Sequence, residues 1–325
     1  MLLEYISETF QMDRLQSLAM INTPSLHTVK SFDLRVLPIL THMTIDNLEN
    51  VESLRIADTS LVSFTEVNTS NMTSFDINNN RYMETVSADV ELVTSHFHIA
   101  GNGRNIRVDV KNLKTANNVT VSNVESLNLD SLEEVQGSVS ILENNFSVLS
   151  LPQLQKVGGS MRLADNRALA RVQIGALKDI DGGLLIVNNT LLNDISFLPK
   201  LTVIGGGLDV EGNIVTTLWP SLKFIKGAAK ITTTNVDFDC NQWLHSEVSE
   251  AMRGGDIQCR ATGKPVVTRG ASGKNSSTSR DESDEATSAA SRTSFTRSTL
   301  IGSLTVVLLA LTGNISLFYP RSLGV

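Results

Sequence analysis

Histidines, cysteines and a scatter of carboxylates are the groups in this chain that could do chemistry. His96 and His98 flank Phe97, a spacing that puts both imidazoles on one face of a strand and could seat a metal ion. No cysteine or carboxylate repeats that spacing beside them, and an inward-pointing Phe97 turns both rings to solvent. A solvated pair is therefore the favoured reading, and His27, His42 and His245 stand apart. Sugar cleavage needs two carboxylates held at a set separation. Asp237 and Asp239 flank Phe238 where they read as helix-entry caps, and Asp281–Glu285 falls in a Ser- and Thr-rich stretch. Cys240 and Cys259 enclose a loop of about 20 residues and could be bridged or left as buried thiols. These groups supply no catalytic residue, no metal site and no cofactor site.

What would position any such group is legible in a second pattern. An apolar-x-apolar pair returns at Phe32/Leu34, Leu54/Ile56, Phe75/Ile77, Phe97/Ile99, Val119/Val121, Val139/Ile141, Met161/Leu163, Leu184/Ile186, Leu208/Val210 and Ala229/Ile231. First members lie 20 to 24 residues apart. That period marks a solenoid, whose coils cannot bury an apolar face alone. Each pair reads as a short strand with alternate side chains inward. The fold expected is all-β, a parallel β-solenoid of about ten coils, right-handed by the default for parallel connections. A short helix over Trp243–Met252 would cover its last coil.

Four coils, Leu132–Asn144, Leu154–Asn166, Leu177–Asn189 and Leu201–Asn213, share the frame Leu-x-x-[Val/Ile]-x-Gly-x-apolar-x-apolar-x-x-Asn. Gly137, Gly159, Gly182, Gly206 and Gly227 precede the strand by two residues, where a change of direction would use a residue tolerant of unusual dihedrals. The closing Asn can satisfy turn backbone with its amide. Asn80 and Asn102 keep that place in weaker coils, and Asp58 takes it in another. A second inward side is marked by Leu149 and Leu151, by Ile195 and Leu198, and by Leu218 and Trp219, each group before a proline. The outward residues Asp33, Arg55, Asp76, His98, Thr120, Ser140, Arg162, Leu185, Asp209 and Lys230 would line one ribbon of mixed polarity. Such a face can bind a glycan or a protein, although it has no aromatic row to stack on sugar rings.

Composition bounds the partners. A formal charge of −7 over 325 residues offers no basic face for nucleic acid. The opening residues Met1–Glu8 have neither a basic region nor a long apolar run, so they do not read as a secretory signal. Either a longer gene precedes them or this polypeptide stays outside the secretory pathway. From about Thr268 to Thr299 the chain is rich in Ser, Thr, Ala and charge, which reads as a flexible stalk. An apolar run follows at Leu300–Leu311 and weakens toward Tyr319. Ser288, Ala289 and Ala290, followed by the polar spacer Ser291–Thr299, match the layout of a GPI signal, with Ser288 the best-placed attachment residue. Leu300–Tyr319 is also about the 20 residues that span a bilayer, although Gly313 and Asn314 weaken such a helix. Asn68, Asn71, Asn118, Asn145, Asn188 and Asn275 each open an Asn-x-Ser/Thr sequon. Of these, Asn118 begins a strand and is the one a strand would hinder.

The coils resemble the receptor L-domain type of leucine-rich repeat. Phe75-Asp-Ile-Asn-Asn-Asn80, Ile99-Ala-Gly-Asn-Gly103, Val157-Gly-Gly159, Asp237-Phe-Asp-Cys240 and Gly254-Gly-Asp-Ile-Gln-Cys259 resemble the fungal GPI-anchored cell-wall family of the sporulation-specific and extracellular-mutant type. That family also has a signal peptide and a cysteine-bearing opening segment, which the first residues here do not match. The resemblance implies a Cys240–Cys259 disulfide in the cap. It also implies a non-enzymatic glycoprotein at the plasma-membrane outer leaflet or in the cell wall, serving wall organisation and integrity. Its partners would be the membrane, through a GPI lipid, and wall glycans or wall proteins. The expected layout is an atypical N-terminal segment at 1–20, solenoid at 21–236, cap at 237–265, disordered stalk at 266–299 and hydrophobic GPI-signal tail at 300–325. The alternatives are a receptor-like module that binds a glycan or peptide on the ribbon, and a glycan-active β-helix enzyme. The enzyme would require an acidic cluster on one coil face.

Overall fold

In a computed structural model, residues 3–45, 48–270 and 275–278 are described. The repeating pairs lie on one parallel ladder, running Phe32, Leu54, Phe75, Phe97, Val119, Val139, Met161, Leu184, Leu208 and Ala229 from rung to rung. Each member of the ten pairs is at most 1% exposed, so the side-chain period of two is spent entirely on the core. The ladder also runs past both ends of the expected solenoid. Phe10 pairs with Phe32 at one end, and Ile257 and Cys259 pair with Ala229 and Ile231 at the other. Phe10/Met12 and Ile257/Cys259 are themselves apolar-x-apolar pairs. Aromatic stacking reinforces the first rungs, with ring centroids 5.1 Å apart for Phe10–Phe32 and 5.3 Å for Phe75–Phe97.

A second parallel ladder, Ser63–Asn68, Thr85–Asp89, Arg107–Asp109 and Ser126–Asn128, forms another side of the coils. Leu149, Leu151, Ile195, Leu198 and Trp219 fill that side as expected, but Leu218 is 54% exposed. The main strands change style along the stack. Leu92–Ala100 and Thr115–Ser122 run through a register shift as single strands. Later coils split, as at Lys156–Val157 and Met161–Ala164. The repeated glycines sit in that split, and their reason differs from the expected one. None of Gly137, Gly159, Gly182, Gly206 or Gly227 has positive φ. What excludes a side chain is the preceding coil: a Cβ would lie 2.7 Å from the Gly183 nitrogen at Gly206 and 2.8 Å from the Gly207 nitrogen at Gly227.

The corner after each strand carries the polar core. Asn80, Asn102, Asn144, Asn166 and Asn189 are at most 8% exposed. Asn166 Oδ1 accepts from the Asn144 main-chain N–H and from Asn144 Nδ2, both at 3.0 Å. Asn166 Nδ2 in turn donates to Ile141 O at 2.9 Å and to Asn189 Oδ1 at 3.0 Å. Asn80 and Asn102 repeat the pattern, with Asn80 N–H and Nδ2 both donating to Asn102 Oδ1. Two expected members are displaced. Thr59, not Asp58, holds the ladder place and donates to Asn80 Oδ1 at 2.7 Å. Asn213 is exposed because the Leu208–Gly212 strand runs one residue longer. Ile214 turns inward there, its N–H taken by Thr233 Oγ1 at 3.0 Å.

Cys240 and Cys259 are joined by a disulfide. The single helix expected here is two: α1, Cys240–Trp243, and α2, Glu247–Ala251. Asp239 caps α1 by accepting from the Asn241 and Gln242 N–H groups. Extended backbone at Ser246, the residue before α2, interrupts the run. The first residues of the span expected as stalk are strand. Val266–Arg269 pairs antiparallel with Ile257–Ala261, and Asn275–Thr278 pairs with Val266–Arg269. Val266 and Val267 are β-branched and favour a strand. Most of the expected stalk and the whole tail at 300–325 lie outside the described residues.

Two stability outcomes follow. Asn166→Ala strands the Asn144 N–H groups and the Ile141 carbonyl, so it should cost about 3 kcal/mol in urea denaturation, against under about 0.5 kcal/mol for Asn193→Ala, an exposed asparagine outside the left-handed corners. Equal losses would mean the corner amides carry no special load. Replacing both Cys240 and Cys259 by Ser should lower stability by about 3 kcal/mol, the loop-closure value for this span. A melting temperature that reductant leaves unchanged in the native protein would contradict it.

Candidate functional site

The ribbon residues stand in register on the outer face of the main ladder. Asp33 opposes Arg55, Arg55 opposes Asp76, and Asp76 opposes His98. The row goes on through Thr120, Ser140, Arg162, Leu185, Asp209 and Lys230. Gln11 and Gln258 extend it by a rung at either end. The pair of that first rung, Phe10/Met12, lies 22 residues before Phe32/Leu34, so the repeat itself was the signal that could have found it. Apart from Arg162, the charges of the row each have an opposite partner close by. Arg35 Nε lies 3.0 Å from Asp33 Oδ1, Arg55 Nε 3.6 Å from Asp76 Oδ2, and Lys230 Nζ 3.8 Å from Asp209 Oδ1.

Asp76 is the most heavily engaged of these groups. His98 Nδ1 sits 2.8 Å from its Oδ1, and Asn78 Nδ2 donates to the same oxygen at 2.7 Å. Partial burial opposes its ionisation. The hydrogen bonds from His98 and Asn78, with the nearby charges of His98 and Arg55, outweigh that and hold its carboxyl below the usual aspartate value. His98 is thus committed to Asp76, while His96 Nδ1 turns to Ser95 Oγ at 3.1 Å. The two rings do not converge. Among the described residues, no three His, Cys, Asp or Glu side chains gather as metal ligands would. His27, His42 and His245 each meet a local oxygen within 3.0 Å.

A second polar edge escaped the sequence pattern. Asp58, Asn79, Asn123, Glu143, Asp165 and Asn188 all take left-handed φ, between 54° and 60°, two residues after the inward pair. Asn and Asp tolerate that conformation, and their enrichment at this offset was the available signal. Asn79 Nδ2 bonds Asp58 Oδ1, and Asn188 Nδ2 bonds Asp165 Oδ1 at 3.2 Å.

Of the sequon asparagines, Asn68, Asn71, Asn118, Asn145 and Asn188 are all exposed. Asn68 and Asn71 close and open adjacent strands across a tight connection. Asn118 lies within the Thr115–Ser122 strand, and its Oδ1 accepts from the Ser138 N–H at 2.9 Å. Asn145 and Asn188 lie at corners beside the buried Asn144 and Asn189. Asn275 opens the Asn275–Thr278 strand. Ser288, Ala289 and Ala290 lie outside the described residues. Among the described residues, no helix is long and apolar enough to cross a membrane.

No protein-family model and no solved structure matches the chain. Several relatives do. It is 36% identical over 252 residues to sporulation-specific protein 2 of Saccharomyces cerevisiae, covering 77% of this chain and 50% of the relative. It is 29% identical over 209 residues to a cell surface GPI-anchored protein of Arthroderma benhamiae, covering 64% and 53%. It is 30% identical over 235 residues to cell wall mannoprotein PST1 of Saccharomyces cerevisiae, covering 71% and 52%. The chain thus spans about half the length of these relatives. None of the three names is that of an enzyme.

The Asp76 geometry sets a pH dependence. A carboxyl whose pKa is lowered by folding stabilises the protein above its unfolded pKa, and that stability is lost as pH falls through the folded pKa. Asp76→Asn should therefore cost about 0.5 to 1 kcal/mol at neutral pH, the upper part of the range for a surface pair, since this one is partly buried. The gap to the native protein should close below about pH 4. Urea melts across pH 2.5 to 7 check this; a gap that persists in acid would assign the loss to packing.

Proposed function

The chain belongs to the fungal family of cell-wall and cell-surface proteins that includes the sporulation-specific proteins, and from that membership we propose that it is a non-enzymatic, glycosylated, GPI-anchored surface protein supporting cell-wall organisation and integrity. The observation that carries the reading is its identity, over most of its length, to relatives named as a cell surface GPI-anchored protein and a cell wall mannoprotein. Two features of the fold support it. A disulfide in the cap suits an oxidising compartment. The five described sequon asparagines outside the Asn275–Thr278 strand are exposed, as glycan acceptors must be. On this reading Asn68, Asn71, Asn118, Asn145, Asn188 and Asn275 carry glycans. Ser288, or else Ala289 or Ala290, receives the lipid, and the Ser/Thr-rich stretch after the cap spaces the solenoid from the outer leaflet or the wall. The ribbon then faces wall glycans or wall proteins with a row of locally neutralised polar groups, which favours short-range hydrogen bonding over long-range attraction.

The test uses native protein from intact cells. Treatment with phosphatidylinositol-specific phospholipase should release it, and mass spectrometry should find a C-terminus near Ser288 with anchor remnants and glycans on the exposed sequons. A soluble, unglycosylated product still ending at Val325 would overturn the surface assignment. Turnover of wall glucan or chitin by the purified protein would overturn the non-enzymatic one.

A further inference from the structure

The cap contains a basic hollow that neither anchoring nor the ribbon uses. It has a volume of about 310 Å³, and Ser249, Arg253, Gly254, Gly255 and Arg269 are among the residues lining it. From Met252 to Gly270 the chain holds Arg253, Arg260, Lys264 and Arg269 against the single carboxylate of Asp256. Among the described residues, none of these cations has a carboxylate within 4.0 Å. Glu250 and Asp256, the carboxylates nearest in sequence, are exposed, and Asp256 Oδ1 lies at the rim beside Gly270.

Both guanidinium groups are held by backbone instead. Arg253 Nη1 donates to Glu250 O at 2.6 Å and Met252 O at 2.9 Å, and its Nη2 to Lys223 O at 3.1 Å. Arg269 Nη1 donates to Leu244 O at 3.3 Å and to Ser249 Oγ at 3.0 Å. The forks are therefore fixed in place with their charge unneutralised, and Arg269 Nη2 and Nε have no acceptor among the described residues. Gly255 takes φ +71°, and a Cβ there would meet the Ala228 nitrogen at 2.7 Å. The wall at Gly254–Gly255 is consequently bare main chain, and no backbone acceptor takes either N–H among the described residues. Rigid guanidinium forks beside bare backbone amides are the donor set that holds tetrahedral oxyanions.

We propose that this hollow binds a phosphate ester. Two sources share that chemistry: the headgroup of a phospholipid beneath the cap, and a phosphorylated wall sugar. The first source rests on the anchored reading; the site itself does not. The test is isothermal titration of the full chain, disulfide intact, with inorganic phosphate, glycerophosphoinositol and mannose 6-phosphate. Saturable binding below about 10 mM is expected, with Arg253→Gln and Arg269→Gln each weakening it about tenfold or more. Lys156→Gln, the same loss of charge on the solenoid body, should leave it unchanged. Preference for glycerophosphoinositol assigns a headgroup, and preference for mannose 6-phosphate assigns a wall sugar. Equal affinity for all three, inorganic phosphate included, supports the site as a general phosphate binder. No binding of any probe by the native chain overturns the proposal even if a variant fails to fold, as does equal weakening by Lys156→Gln. Release from cells by phospholipase with no phosphate binding would remove this site and leave the anchored reading intact.

Discussion

The buried asparagine amides hold the solenoid together at the one place where strand pairing cannot. Along the rungs, each main-chain group finds its partner on the next coil. At the corner the chain turns out of the ladder, and its N–H and C=O would be buried without partners. An amide is the side chain that answers both needs, because it carries a donor and an acceptor at one end. Asn144, Asn166 and Asn189 each reach back to a carbonyl near the preceding strand and accept from the corner before them. A carboxylate would supply only acceptors, and an alanine neither group. Where the coil lengthens by one residue the amide no longer fits. Thr233 then does both jobs with one hydroxyl, accepting from Ile214 N–H and donating to Ile214 O.

Legibility followed from how local each determinant is. The inward pairs were readable because burial imposes a strict alternation that any apolar residue can satisfy, and the ladder keeps them in register from Phe32 to Ile231. The Asn positions were readable for the same reason, except where chain length shifts by a residue. Asn213 fits the frame in sequence, yet the longer Leu208–Gly212 strand turns Ile214 inward in its place. The repeated glycines were seen but misread. Their need arises between coils, from a backbone some 20 residues earlier, and no local dihedral rule contains it. The strand at Val266–Arg269 was hidden because its partner lies across a turn, beside a stretch of stalk-like composition. The ribbon was legible as a row. The pairing within it was not, since Asp76 depends on His98 from 22 residues away.

These constraints divide the surface into parts that can vary and parts that cannot. The inward pair belongs to the core, the corner Asn to the hydrogen-bond ladder, and the residue before it to a left-handed turn. What remains free is the single outward residue of each rung and the exposed edges beside it. Recognition on such a scaffold is written one residue per coil at the strand spacing of about 4.8 Å. A partner matched to it must be extended and must read hydrogen bonds and shape, because neighbouring ion pairs such as Arg55–Asp76 and Lys230–Asp209 cancel the long-range field. A glycan on Asn188 would stand at the corner beside that row, whereas one on Asn118, two residues before Thr120 and opposite His96, would project from the ribbon's own face.

The cap gathers cations that have no carboxylate partner, and its construction explains how it can. Cys259 is a buried rung residue and Cys240 begins α1, so the disulfide ties the lid directly to the last rung. Arg253 and Arg269 then clamp the lid by donating to carbonyls at the ends of α1 and α2 that have no intrahelical partner. A carboxylate partner is not needed to hold the lid, and the cations keep their charge available. Lysine in place of Arg253 would lack the planar fork whose two terminal nitrogens reach Glu250 O, Met252 O and Lys223 O together. The stabilising role and the capacity to take an anion therefore come from the same guanidinium groups, one using donors already bound to backbone and the other the donors left over.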